Sequence, residues 1–235
     1  MLECRNCGAG APLDAHFCPQ CEHILPLPRH GDYFTFFRLP RKLVIEPADL
    51  EQRFRALSRT FHPDYFYNAP PAERRASLER SSYLNDAYRA LKQPVTRIEY
   101  LLNLEGLNVG EEASGRHGAS GSVGATHASP GRLKVPPALL EEVFALNEEL
   151  DEIREAREAG GDPEALRVRL DAARKPIERK QEEHERQLQE LSVEWDARHE
   201  RGTLDALREQ LLERNYLRNL LATIDREVAG LGLKA

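Results

Sequence analysis

No cysteine occurs beyond residue 21, and the 235-residue chain holds one tryptophan and one methionine. A disulfide framework is therefore excluded for nine-tenths of the molecule, which must fold by burying apolar surface. Long apolar runs are missing too. None approaches the ~20 residues of a membrane-spanning helix, and the mean hydropathy is -0.59, so no membrane partner is expected. The start, Met1-Leu2-Glu3-Cys4, lacks the basic end and apolar core of a signal peptide, and it is neither arginine-rich nor acid-free like a transit peptide. The expected location is cytoplasmic. Positive charge is outnumbered, 33 Lys/Arg against 39 Asp/Glu, for a net charge of -6. Residues 32–104 hold 12 Lys/Arg against 9 Asp/Glu, a net of +3, and residues 133–235 hold 17 against 24, a net of -7. No nucleic-acid partner is expected of such a balance, because that function needs a basic stripe. A mildly basic module suits an acidic protein surface instead.

Strand-like alternation is absent after about residue 28, and helical spacing takes its place. A short helical pattern runs from Tyr33 to Leu39 and stops before Pro40. The next opens at Glu46-Pro47, a favoured N-terminal use of proline. Its apolar residues Leu50, Phe54, Leu57 and Phe61 step by four, three and four, which makes one face. A third pattern covers about 72–92 and a fourth runs from Pro94 to near Gly106. Residues 105–136 break the periodicity. From Ser114-Gly115 through Gly131 it is rich in Gly, Ser and Ala with almost no large apolar groups, which cannot bury enough surface to offset the ordering entropy, so it reads as a flexible linker. Periodicity returns over 137–159 and ends at Gly160-Gly161. Asp162-Pro163 caps a long helix toward Arg201, and Pro176 inside it predicts a kink or break. Gly202-Thr203 restarts a last helix over about 203–229. Three consecutive helices read as an antiparallel bundle, with the single Trp195 expected in its core.

The four cysteines form two pairs, Cys4-x-x-Cys7 and Cys18-x-x-Cys21. A two-residue spacer lets both thiolates of a pair point into one site, so the set reads as a tetrahedral, structural zinc centre over residues 1–28. Gly8 gives the first knuckle its turn. Two disulfides, redox-active dithiols and an iron–sulfur cluster on the same thiolates are the competing readings. His16 and His23 lie close by, but four cysteines already complete a ligand set.

His62-Pro63-Asp64 follows the second helical pattern directly. Pro63 fixes its own φ and pushes His62 out of the helical region, so the helix ends at about Phe61. The trio is then held on an exposed turn. As a His–Asp acid/base pair it would need a pocket and a third group. No nucleophile motif accompanies it, and no enzymatic activity is expected. Arg55 and Arg59 lie one turn apart on the face opposite Leu50 and Phe54, with Arg53 at the flank.

A His-Pro-Asp turn between two such helices resembles the signature loop of a J domain, the module that activates the ATPase of a DnaK-type chaperone. Three further segments narrow the resemblance: Asp32-Tyr33-Phe34-Thr35, Arg97-Ile98-Glu99-Tyr100-Leu101-Leu102-Asn103-Leu104-Glu105-Gly106, and Leu146-Asn147-Glu148-Glu149-Leu150-Asp151-Glu152-Ile153. Together they resemble HscB-like co-chaperones of iron–sulfur cluster assembly over residues 32–104 and 137–229. The insertion at 110–132 departs from the family's short connection. The resemblance implies an all-α fold: a J-domain helical hairpin plus a C-terminal three-helix bundle, preceded by a small zinc-bound module. It implies a DnaK/HscA-type chaperone as partner for His62, Pro63, Asp64, Arg55, Arg59 and Arg53. It also implies an iron–sulfur scaffold protein as client of the bundle, and leaves a homodimer open.

The bundle offers a separate check on that client surface. Over 137–159, Leu139, Val143, Leu146, Leu150 and Ile153 form one stripe about 80° wide, sufficient to pack the bundle. Leu140 and Phe144 fall roughly 100–140° from its centre, and Glu148 continues that edge. An apolar pair rimmed by acid suits a partner site, though the same pair could simply widen the core. The resemblance assigns Leu140, Phe144 and Glu148 to scaffold binding, together with Asn215 and Tyr216 on the last helix. A J protein with another client and a zinc-ribbon nucleic-acid adaptor are the alternatives.

Overall fold

The computed structural model describes residues 1–27, 31–107 and 139–231. Most of the linker expected at 105–136, with its insertion at 110–132, lies outside them. The chain divides into two compact units, one of Met1–Glu105 with Trp195–Arg198, the other holding the remainder.

In the first unit a two-stranded antiparallel ribbon, β1 (Leu2–Glu3) and β2 (Gly10–Ala11), precedes four helices. Helix α1 spans Tyr33–Phe36, α2 Pro47–Thr60, α3 Pro71–Lys92 and α4 Pro94–Leu104. Each of the last three begins with proline at its first turn, where a missing N–H costs nothing. Asp32 caps α1 by accepting from Thr35 N–H at 2.7 Å, and Arg41 grips its other carboxylate oxygen at 2.6 Å. Helix α1 stops three residues short of Leu39, because Arg38 enters the left-handed region at φ 54° and the chain turns there. Of the α2 stripe, Leu50 and Phe61 are fully buried while Phe54 and Leu57 are half-buried, Phe54 stacking on Tyr88 with ring centroids 4.1 Å apart. On α3 the buried positions are Ser77, Arg80, Leu84, Ala87 and Leu91, spaced three, four, three and four.

The second unit is built from α5 (Leu140–Glu158), α6 (Pro163–Arg198) as far as Glu194, and α7 (Arg201–Gly230). Its core joins Leu139, Val143, Leu146, Leu150 and Ile153 to Leu166, Leu170 and Ile177 of α6 and Leu217, Leu220 and Ile224 of α7. Ion pairs join α6 to its antiparallel neighbours, Arg169 with Glu149 and Glu152, Lys180 with Glu142, and Arg174 with Asp225, while Arg154 with Glu227 joins the parallel α5 and α7. These pairs are solvent-screened and contribute about 0–1 kcal/mol each, so apolar burial holds the helices together.

Three expectations are corrected. Pro176 does not break α6, which continues through it despite the lost backbone bond. The interruption before α7 falls at His199, with φ 55°, rather than at Gly202, which lies inside the helix. Trp195 is buried, but it groups with the first unit and not with the bundle.

Candidate functional site

Each cysteine pair is wrapped by the same backbone device. Gly8 N–H donates to Cys4 O at 2.8 Å and Glu22 N–H to Cys18 O at 2.9 Å, closing one turn around each pair. The residue after each second cysteine then turns left-handed, Gly8 at φ 73° and Glu22 at φ 59°. Cys4 N–H bonds Ala9 O and Cys18 N–H bonds His23 O, so the two knuckles match bond for bond. The Cys4 and Cys21 sulfurs stand 3.5 Å apart, those of Cys7 and Cys18 3.6 Å, and all four lie within 4.8 Å of one another. A tetrahedron of thiolates about 2.3 Å from one zinc ion has edges of about 3.8 Å, so the four residues fit a single tetrahedral metal. The thiols are free and too far apart for the ~2.05 Å bond of a disulfide. A multi-iron cluster would force the sulfurs further apart than one ion does. His23 N–H and the Asn6 amide draw the Cys21 thiol down to about 6, while at Cys7 the Ala9 N–H is outweighed by hydrogen bonding to the neighbouring thiols, which pushes it up to about 12, so the four sulfurs share their protons as one group.

The histidines beside this centre do other work. His23 donates from Nδ1 to Cys21 O at 2.9 Å. His16 is buried and accepts at Nδ1 from the Arg80 guanidinium at 2.8 Å. Arg80, 1 % exposed, also donates to the carbonyls of Leu25 at 2.8 Å and Pro26 at 3.2 Å. Reading the sequence alone missed Arg80. Its position on the buried stripe of α3 was the available signal, since a charge there must find partners.

The His62-Pro63-Asp64 trio begins a single 3-10 turn, Pro63–Phe66, directly after α2. His62 Nδ1 accepts from Asp64 N–H at 3.3 Å, which curls the turn on itself. The side chains of His62 and Asp64 remain 54 % and 86 % exposed. Just inside, Phe61 is fully buried, and its carbonyl accepts from Ser77 at 2.8 Å and Ser81 at 2.7 Å on α3. The trio is thus an outward-facing group on an anchored stem. Arg55 and Arg59 are exposed along α2, Arg55 pairing with Glu51 at 2.9 Å. Arg53 is different: it binds Asp49 at 3.0 Å and the carbonyls of Phe37 and Arg38, so its guanidinium is tied to its own unit.

In the second unit Leu140 is 40 % exposed, Phe144 69 %, and Glu148 is exposed on the same edge. Ala145 beside them lines a groove with Ala172, Ala173 and Pro176 of α6. Tyr216 is half-buried against the core. Asn215 does not stand on the surface with it. Four residues beyond Leu211, it falls on the inner stripe of α7 and is buried.

No protein-family model matches the chain. Solved structures do. The crystal structure of human co-chaperone protein HscB is similar at 24 % identity and a TM-score of 0.66, over 96 % of this chain and 98 % of that one. Chaperone HscB from Vibrio cholerae is similar at 27 % identity and a TM-score of 0.53, over 86 % of this chain and 99 % of that one. The resemblance read from the sequence, and the all-α HscB fold it implied, are borne out.

Proposed function

We propose that this chain is a J-domain co-chaperone serving iron–sulfur cluster assembly. The observation that carries the reading is the exposed, stem-anchored His62-Pro63-Asp64 turn beside Arg55 and Arg59 in an HscB-like fold. A short polar group held rigidly on a loop is a recognition device, and cations along α2 complement an acidic partner. Docked on a DnaK/HscA-type chaperone, the turn stimulates ATP hydrolysis there while this chain performs no chemistry. Arg53 contributes by holding α1 to α2 rather than by reaching outward. The second unit carries the iron–sulfur scaffold protein as client on Leu140, Phe144 and Glu148, flanked by Tyr216, and presents it to the chaperone for cluster transfer. Cys4, Cys7, Cys18 and Cys21 hold a structural Zn2+, and the protein works in the cytoplasm.

The test is ATPase stimulation by the native chain and by His62→Gln. Stimulation lost in the variant, with scaffold binding retained, supports the reading. Equal stimulation by both would sink it.

A further inference from the structure

We infer that the four-cysteine module is a metal-dependent clamp on the His62-Pro63-Asp64 turn, with His16, Phe17 and Arg80 as its positioning residues. This rests on the function proposed above for the turn, but the clamp itself is a claim about geometry.

Phe61 is the residue on which His62 stands. Two rings of the cysteine module pack on its ring, beside Phe36 of α1 and Arg80 of α3. The His16 ring meets it edge-on at 5.0 Å, and Phe17 stacks on it at 6.2 Å. The Arg80 guanidinium lies over it at 5.4 Å. Arg80 in turn is fixed by acceptors that all belong to the N-terminal segment: His16 Nδ1, Leu25 O and Pro26 O. Among the described residues no carboxylate pairs with this buried guanidinium, so its neutral partners must stay in place to keep it satisfied.

Those partners depend on the knuckles. His16 and Phe17 immediately precede Cys18, Phe17 bridges to Ile24 across the second knuckle, and Leu25 N–H donates to His16 O at 3.0 Å. Without a metal, nothing covalent or ionic joins Cys18 and Cys21 to Cys4 and Cys7, and a segment this small has little core of its own. Loosening it would free the His16 and Phe17 sides of the Phe61 ring, leaving Phe36 of α1 at 6.0 Å and the Ser77 and Ser81 bonds to its carbonyl. The turn one residue later would lose its fixed direction. Metal occupancy then governs how well the docking trio is presented, not whether the helices fold.

Amide hydrogen exchange on the full chain, zinc-loaded and after stripping by chelator, tests this. Reporters are the N–H groups of Phe61, Tyr65 and Tyr67, bonded to Leu57 O, His62 O and Asp64 O. Stripping should lower protection over 61–67 by about tenfold or more while α2 before Leu57 and helices α5 to α7 keep theirs. A zinc-loaded His16→Ala chain should show the same local loss in smaller degree. Unchanged protection over 61–67 while residues 4–21 open overturns the clamp. So does opening of the whole of residues 1–105, which would make the module a general structural support. Failure of the native, loaded chain to stimulate any chaperone ATPase would refute the proposed function and leave the exchange result to decide the clamp by itself.

Discussion

Truncating Phe144 to alanine separates a docking surface from a core with two numbers. The side chain is 69 % exposed, and the neighbouring core positions Val143 and Leu146 are buried without it. Loss of an exposed side chain outside any cap or network changes stability by less than about 0.5 kcal/mol. The same change in a core would cost about 3–5 kcal/mol. If the scaffold protein covers Phe144, roughly 100 Å² of apolar surface leaves water on binding, which at about 25 cal/mol per Å² is about 2.5 kcal/mol. That is a loss of affinity on the order of 70-fold. Thermal melting and scaffold titration of native and Phe144→Ala chains measure both quantities. An unchanged melting temperature with affinity reduced by tens of fold is expected. A core-sized fall in stability, or affinity altered less than twofold in a fully folded variant, would refute the assignment of this face.

Other outcomes follow from the same structure. Leu150→Ala, deep in the bundle core, should cost about 2–5 kcal/mol in denaturant unfolding, and a cost under 1 kcal/mol would contradict the packing described. Pro176→Ala should raise stability by roughly 1–3 kcal/mol in the same assay, since alanine restores an N–H inside a continuous helix. A loss would show that the helix is bent there for packing. Burial works to raise the Asp32 carboxyl, but Thr35 N–H and the Arg41 guanidinium outweigh it and hold it below its usual 3.8. Its contribution is therefore complete above that value and is lost as pH falls through the lower folded value. An acid titration of unfolding should show Asp32→Asn less sensitive to pH below about 4 than the native chain; identical slopes would deny the role. Cys4→Ser should fall from one bound zinc per chain to a weak or empty site by elemental analysis, and retention of tight binding would exclude a four-thiolate centre.

Where function and fold were legible in the sequence, periodicity or a cap made them so. The α5 stripe from Leu139 to Ile153 is buried as its spacing requires, and Leu140 and Phe144 lie off it because 100° per residue leaves them no other place. Asp162 and Pro163 begin α6 as a cap pair should, with Glu164 N–H on the Asp162 carboxylate. What stayed hidden depends on partners far apart in sequence. Nothing local says that Arg80 meets His16 and Leu25, or that Trp195 joins the first unit. Asn215 looks like a surface amide until α7 is seen to bury a stripe through Leu204, Leu207 and Leu211 ahead of it. Glu22 carries no glycine to announce its left-handed turn, yet it occupies the place that Gly8 holds in the first knuckle. The pairing of the two Cys-x-x-Cys segments was the clue.

The most direct test of the whole account is ATP hydrolysis by a DnaK/HscA-type chaperone, measured with this chain alone, with the iron–sulfur scaffold alone, and with both together. Stimulation by the two together well above the sum of their separate effects, abolished by His62→Gln and reduced by Phe144→Ala, is the predicted result. Stimulation that is merely additive, or that survives both substitutions, would contradict it.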